Sequence, residues 1–464
     1  KRIRVGKETG APSSTPPEAP VAAAQAIPGE LDRANERRVE KDARRRYKVK
    51  ADDDAIEAAG KMLETWAYCA NQANCVVPLW TTDMADGIPM TAFRTLMLPN
   101  KSEEVGPRGG RIVINPVDLW ASDARRVTVA GIRLRPDQPR PTYKEDGKLW
   151  INCYREAELP DTGGDASVGI EFMEHLLPDA AERQWFLRWL AYKLRRPDVP
   201  GPAVVMVARQ FGTGRGTLGE IIKRLFGRAY VASVPFAIFA GRNTQSQYTD
   251  WQASSLVVLV NESSETEAGA SKYAAKQSTY EHLKETVDPR PIERTFIAKG
   301  RPAFKAISPA SFIIATNNMD ALPIPDDDRR FAVLANGEPR EAAFWERINA
   351  WLEDDANIGA FGRWLRALDL ADYSPFAPPP FTTGKRDMAE AGKSDLDRGY
   401  ELAMANLQTK VFVPEQVISM MRRATSTDGL EYPDRWQALA RKMVMSRSYR
   451  VGVRQGANWF VKLE

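Results

Sequence analysis

At 464 residues and 43% hydrophobic content, the chain is long enough for roughly two to four domains with real cores, and no apolar run reaches the ~18 residues of a membrane span. A formal net charge of +4 excludes a uniformly basic surface, so attraction to nucleic acid has to come from local clusters. Cys69, Cys75 and Cys153 are too few and too unevenly spaced for a disulfide framework, and His175 and His282 lie far from them, so a reducing cytoplasm is expected and a zinc site is not.

The first residue is Lys1 and no secretory signal follows, which reads as a fragment or a processed chain, with another domain as a candidate for its missing N-terminal part. Residues 7–30 are rich in Pro, Ala, Ser and Thr, a composition that cannot bury enough apolar area to offset ordering, so residues 1–54 are expected to form a tether. Within it, residues 31–50 carry nine Lys or Arg against four acids, either a solvated helix face or a DNA contact. A helix through Ile56, Met62 and Trp66, followed by short strands at 111–114 and 126–129, predicts a small α/β module over 55–170. Asp179 is an N-cap for a helix from Ala180 to Leu194, whose stripe of Trp185, Trp189 and Tyr192 reads as core in a helical collar over 171–200.

The domain over 201–372 carries the chemistry. The apolar run 203–207 breaks into Gly212, Thr213, Gly214, Arg215, Gly216 and Thr217 before a helix that begins near Leu218. Glycines so placed let backbone N–H groups converge on an anion, and the positive end of the helix dipole aims at the same point. Against the phosphate-loop pattern G-x-x-x-x-G-K-[ST], Arg209 stands for the first glycine, Arg215 for the lysine, and Gly216 precedes the Thr217 hydroxyl. Arg215 keeps a permanent charge on a planar fork without duplicating the point charge of lysine, so the pattern points to nucleotide binding rather than to rapid hydrolysis.

Three further features follow in order. The strand 255–260 ends in Asn261 and Glu262, which delivers a carboxylate at its tip, and the strand 311–315 ends in Thr316, Asn317 and Asn318, amides able to orient water or a terminal phosphate. Between them, runs at 294–298 and 303–307 flank a basic turn and predict a hairpin with Lys299, Arg301 and Lys305 near its tip and Phe304 against a base or bracing the hairpin; a solvated surface hairpin is the alternative. Asp326, Asp327 and Asp328 then lead into Arg329 and Arg330 ahead of a strand at 331–334, a loop from which an arginine can reach a neighbouring subunit's nucleotide.

A Pro-rich stretch marks 373–400 as a linker, and 401–464 reads as helix, helix and a final hairpin, the order of a winged helix. That segment carries ten Lys or Arg against six acids, which suits duplex DNA, with protein docking as the alternative.

GTGRGT, VVLVNE, IIATNN and DDDRRF, in that order, resemble the motifs of superfamily 3 helicases, and within them those of the phage and plasmid primase-associated helicases, over roughly residues 55–390. The resemblance implies an α/β, P-loop NTPase core of AAA+-like type, assembled as a ring-shaped hexamer that couples ATP hydrolysis to movement along single-stranded DNA. It implies that Gly212, Thr213, Gly214, Arg215, Gly216, Thr217 and Asn261 surround the nucleotide, and that Thr217 and Glu262 hold Mg2+. Glu262 would be the base, Asn317 or Asn318 the sensor, and Arg329 or Arg330 the arginine finger, while Lys299, Arg301 and Lys305 line the channel. Arg215 in place of lysine, and Asn261 where many relatives have an aspartate, depart from the pattern. They leave open a catalytically weak, nucleotide-binding ring that serves as an origin-binding or scaffold protein. A packaging or transposition motor is a third alternative, made less apt by the TNN strand and the basic hairpin. The expected setting is the cytoplasm of a bacterial host, in replication of a phage, plasmid or other mobile element, with a primase-polymerase upstream or in trans and no membrane partner.

Overall fold

The computed structural model of the chain describes residues 53–69, 74–105, 109–261, 271–319, 327–432, 435–454 and 457–462, together with 322, 324 and 325. The basic cluster at 31–50, and with it nearly all of the expected tether, lies outside the described residues. The chain divides into two compact units, one holding Thr91–Arg126 with the described residues before Thr65, the other holding Thr65–Met90 and everything from Val127 onward.

In the first unit, the helix Asp53–Thr65 buries Ala55, Ala59 and Met62, which recur at helical spacing along one face. The helix Pro116–Ser122 starts at Asn115, whose Oδ1 accepts the Val117 N–H at 2.9 Å. Phe93 and Trp120 meet edge to face at 6.1 Å, and a hairpin pairs Ser102–Val105 with Arg111–Ile114. The small module expected over 55–170 is therefore not one body. The strands Trp66–Cys69, Cys75–Pro78, Ile88–Pro89 and Val127–Val129 form a sheet of their own in the second unit, because Ala67, Cys69, Val77 and Val129 share a core with the helices of that unit.

The centre of the second unit is a five-stranded parallel sheet of β1 (Ala203–Val207), β2 (Val231–Pro235), β3 (Val257–Asn261), β4 (Ser311–Thr316) and β5 (Phe331–Ala335), in the order β2-β3-β4-β1-β5. Strands covered on both faces need apolar residues at successive positions, and β1 is buried throughout. Its side chains alternate between two cores, Val204 and Met206 in one and Ala203, Val205 and Val207 in the other. The first core is closed by helices Ser167–Leu176, Ala180–Arg195, Arg215–Phe226, Ala342–Leu352 and Asp355–Ala367, the second by helices Ser271–Thr286 and Thr383–Gly392, giving three layers.

The Ala180–Arg195 helix starts at Asp179, whose Oδ1 accepts the N–H groups of Ala181 and Glu182 at 2.9 Å. Of its aromatic stripe, Trp189 is buried beside Phe186, while Trp185 and Tyr192 pack on Tyr373 at 6.4 and 5.4 Å between ring centroids. One turn on, Lys193 is wholly enclosed and donates to the carbonyls of Pro197 at 2.8 Å, Val199 at 3.1 Å and Pro309 at 2.5 Å, which ties the helix to the entry of β4.

The stretch 373–400 is more than a linker. Its helix Thr383–Gly392 lies on β5 with Met388 in the core, and a second helix, Asp395–Ala405, gives Leu396 and Tyr400 to a third core within the same unit. The chain around this third core continues through Val411–Phe412, helices Pro414–Thr427 and Trp436–Arg447, and the hairpin Tyr449–Arg454/Ala457–Val461, the order helix, helix and hairpin read from the sequence.

Candidate functional site

The glycine turn leaves the C-terminal end of β1 and enters the helix Arg215–Phe226, with Gly214 as its N-cap in the left-handed region at φ 99°. Gly212 is also left-handed, at φ 78°, and a Cβ there would meet open space. At Gly214 a Cβ would lie 2.8 Å from both the Phe172 and the Trp345 rings, so this position requires glycine for its backbone and for its neighbours. Thr213 is buried with its Oγ1 unpartnered among the described residues. Arg215 opens the helix and Thr217 lies half-buried two residues on.

Below the turn lies a platform with no signal in the sequence, since its parts come from segments some 170 residues apart. Phe172 and His175 stand on the helix Ser167–Leu176, Phe344 and Trp345 on Ala342–Leu352. The His175 ring meets those of Phe344 at 4.9 Å and Trp345 at 5.6 Å, both edge-on, and engages the Thr213 backbone. Desolvation, with Arg340 nearby, keeps this imidazole below its ordinary range and so neutral under the turn. Glu182 closes the same edge by accepting the Ala335 N–H at 2.9 Å, and burial raises its carboxyl above the usual range.

Register brings the other candidates to this edge. Val207 at the end of β1 stands opposite Thr316 of β4 and Ala335 of β5, and Asn261 at the end of β3 opposite Ala315, so β4 separates β1 from β3. The Ala208 N–H donates to the Thr316 carbonyl at 3.1 Å, joining the start of the turn to the strand that carries the amides. Arg215 reaches across the same gap: Nη1 donates to the Thr316 carbonyl at 2.8 Å and Nη2 to Asn317 Oδ1 at 2.5 Å. Arg215 thus spans from the turn to the end of β4, a reach that the two-pronged guanidinium makes available. Asn318 holds its own loop, its N–H donating to Thr316 Oγ1 at 3.0 Å. Asn261 is exposed at the strand tip. Glu262 lies outside the described residues.

The arginine loop lies elsewhere. Phe331 stands opposite Ala203, and the Ala203 N–H donates to the Arg330 carbonyl at 2.8 Å, so Arg329 and Arg330 enter at the N-terminal edge of the sheet. With five residues in β1, that edge is about 15 Å from the glycine turn of the same chain.

The basic hairpin forms as expected, Glu293–Phe296 pairing antiparallel with Phe304–Ile307. Its three cations differ. Lys299 and Lys305 are exposed, Lys305 lying 3.9 Å from Glu293, whereas Arg301 donates to the carbonyls of Met84, at 3.2 Å, and Ala85. Phe304 braces the hairpin, 5.9 Å from Phe296 in a small core with Ala306, Ala253 and Met84.

Among the described residues no group of His, Cys, Asp and Glu has the arrangement of a protein-built metal site, and no helix is long and apolar enough to cross a membrane. Burial pushes the Cys153 thiol up to about 12, far from a reactive thiolate.

Residues 206–330, from β1 to the arginine loop, match a family described as "Family of unknown function (DUF5906)". The chain is 24% identical over 267 residues to a protein named DNA Primase-polymerase from Nitratiruptor phage NrS-1, an alignment covering 56% of this chain and 35% of that protein. It therefore spans about a third of that relative's length. An apo structure of the NrS-1 C-terminal region superposes with a TM-score of 0.60 at 16% identity, over 89% of this chain and all of that one. An A-form apo structure of the same region gives 0.58 at 15% identity over the same shares. The mixed α/β architecture around a parallel sheet is thus a shared fold.

Proposed function

We propose that this chain is the ATP-driven DNA motor of a phage replication protein, a helicase that works as a ring of copies. The observation that carries the proposal is the left-handed glycine turn between β1 and a helix N-terminus, with Thr316 and Asn317 of the adjacent strand beside it on the carboxyl edge of a parallel sheet. Ligands of open α/β sheets bind at that edge, and the turn offers backbone N–H groups at the positive end of a helix dipole. The likeness to a phage primase-polymerase supports a role in replication.

In this reading the turn from Gly212 to Gly216 binds the phosphates of ATP, Asn261 lies at the same edge, and Arg215 trades its hold on Thr316 and Asn317 for phosphate oxygens. The open space at Gly212 and the half-buried Thr217 hydroxyl fit a phosphate chain with its magnesium ion. Thr217 and Glu262 would hold that ion, which offsets phosphate charge. Glu262 takes the proton of the attacking water, Asn317 or Asn318 orients it, and an arginine from a second copy neutralises charge that develops on the phosphoryl group. Lys299 and Lys305 contact the backbone of single-stranded DNA, Arg301 holds their hairpin in place, and the C-terminal domain suits a duplex.

Replacing Glu262 by Gln should abolish ATP hydrolysis, measured as phosphate release with and without single-stranded DNA, while ATP still binds. Sustained turnover by that variant would remove Glu262 as the base. One observation favours a second reading: Arg215 is already engaged with Thr316 and Asn317, as suits a nucleotide-binding ring of slow turnover that serves as an origin-binding scaffold. Binding of ATP by the unaltered chain with no DNA-stimulated phosphate release would support it.

A further inference from the structure

Arg329 and Arg330 share one short loop, yet the fold holds them differently. Asp328, whose side chain is fully buried, turns that loop: Oδ1 accepts the N–H groups of Arg330 at 2.7 Å and Phe331 at 3.1 Å, and Oδ2 accepts the Tyr280 hydroxyl at 2.6 Å. The Asp328 carbonyl accepts Lys385 Nζ, and Lys385 is itself buried in the helix Thr383–Gly392, whose capping Thr382 hydroxyl donates to the Val333 carbonyl. Three elements therefore meet at one residue: the helix Ser271–Thr286 that follows β3 and the arginine loop at the Asp328 carboxylate, and the helix that lies on β5 at its backbone carbonyl. Arg330 folds back over this hub, half-buried and 3.5 Å from Asp328 Oδ2, whereas Arg329 projects into solvent.

A guanidinium that faces its own buried carboxylate has to give up that partner before it can serve another anion, and the carboxylate would lose the guanidinium that faces it. An exposed one has no such constraint. The glycine turn of the same chain is at the far edge of the sheet, so the anion that Arg329 meets belongs to another molecule. Resting on the reading of this chain as an oligomeric ATPase, we propose that Arg329, not Arg330, is offered to the nucleotide of a second copy. Tyr280, acting through Asp328, is the positioning residue that sets its reach. Because Tyr280 stands on the helix that follows the acidic strand, a shift of that helix in one copy is passed to the arginine presented to the next.

The test is steady-state ATP hydrolysis by the full chain, with melting temperatures recorded alongside. R329A is expected to lower kcat by about 100-fold or more with little change in KM, and R330A by less than about tenfold. Y280F keeps the ring in the core and removes only the hydroxyl. It should lower kcat about fivefold, leave KM unchanged, and slow the R329A variant no further, because both changes act on one arginine. An equimolar mixture of R329A and R215A chains, each inactive alone, should regain turnover, since some interfaces then join an intact turn to an intact arginine. Equal losses in R329A and R330A, a Y280F effect that multiplies with R329A, or no recovery in the mixture would each overturn the assignment. No turnover by the unaltered chain would overturn the ATPase reading itself, and the assignment with it.

Discussion

Gly214 is constrained twice, by a left-handed backbone and by the Phe172 and Trp345 rings that fill the place of a Cβ. Gly212, also left-handed, faces open space. Gly212→Ala should therefore cost about 1–2 kcal/mol from the backbone alone. Gly214→Ala should cost clearly more and also displace the turn from its aromatic platform, which chemical denaturation and an ATP titration would measure. Equal stability of the two variants would show that the platform does not constrain the turn. Lys193 is the other residue whose surroundings decide its chemistry. Burial pushes its ammonium down to about 7, against about 10.4 in an unfolded chain. Between those values the unfolded chain binds a proton that the folded one has released, so stability should rise with pH across that window. Lys193→Met should flatten the rise in a pH series of denaturation midpoints; an unchanged slope would place the titration elsewhere.

At the scale of elements, the strands β1, β3, β4 and β5 were legible because each is covered on both faces and so reads as an unbroken apolar run. Val231–Pro235 was not, because β2 is an edge strand in which only Val231 and Val234 are buried and the last residue is proline, and its apolar signal is weak. The hairpin was legible as an element, but the division of labour among its cations was not, because the partners of Arg301 are carbonyls more than 200 residues away. That division predicts distinct outcomes. Changing Lys299 and Lys305 together to Ala should weaken binding to single-stranded DNA irrespective of sequence and reduce the slope of affinity against salt by about 1–2. Arg301→Ala should lower the melting temperature and leave the slope nearly unchanged. Fluorescence titrations over a salt series separate the two, and a slope that falls equally in both would put Arg301 on the DNA.

For the whole molecule, the informative feature is the separation of cores. Leu396, Tyr400, Val417, Met421, Val444 and Phe460 form a C-terminal core apart from the two that flank the parallel sheet. A chain that ends at Gly392 should therefore keep its affinity for ATP within about twofold, since the packing around the glycine turn is untouched, and lose affinity for duplex DNA. Calorimetry should show one transition fewer. Loss of ATP binding on truncation would mean that the C-terminal domain supports the nucleotide site directly.

The sequence by itself determined what depends on neighbours along the chain: the apolar runs that become buried strands, the glycines that permit a left-handed turn ahead of a helix, and the Asp179 cap. It also carried the order of the candidate motifs, because that order is a property of the chain rather than of its folding. Only the tertiary structure decided what depends on register between distant segments. Pairing of β1 with β4 brings Arg215 to Thr316 and Asn317, pairing of β1 with β5 sends Arg329 to the opposite edge, and the aromatic platform rises under Gly214 from two helices far apart in the chain. Local preferences act over a few residues, whereas these contacts exist only once parallel strands have been drawn together by the burial of both faces of the sheet.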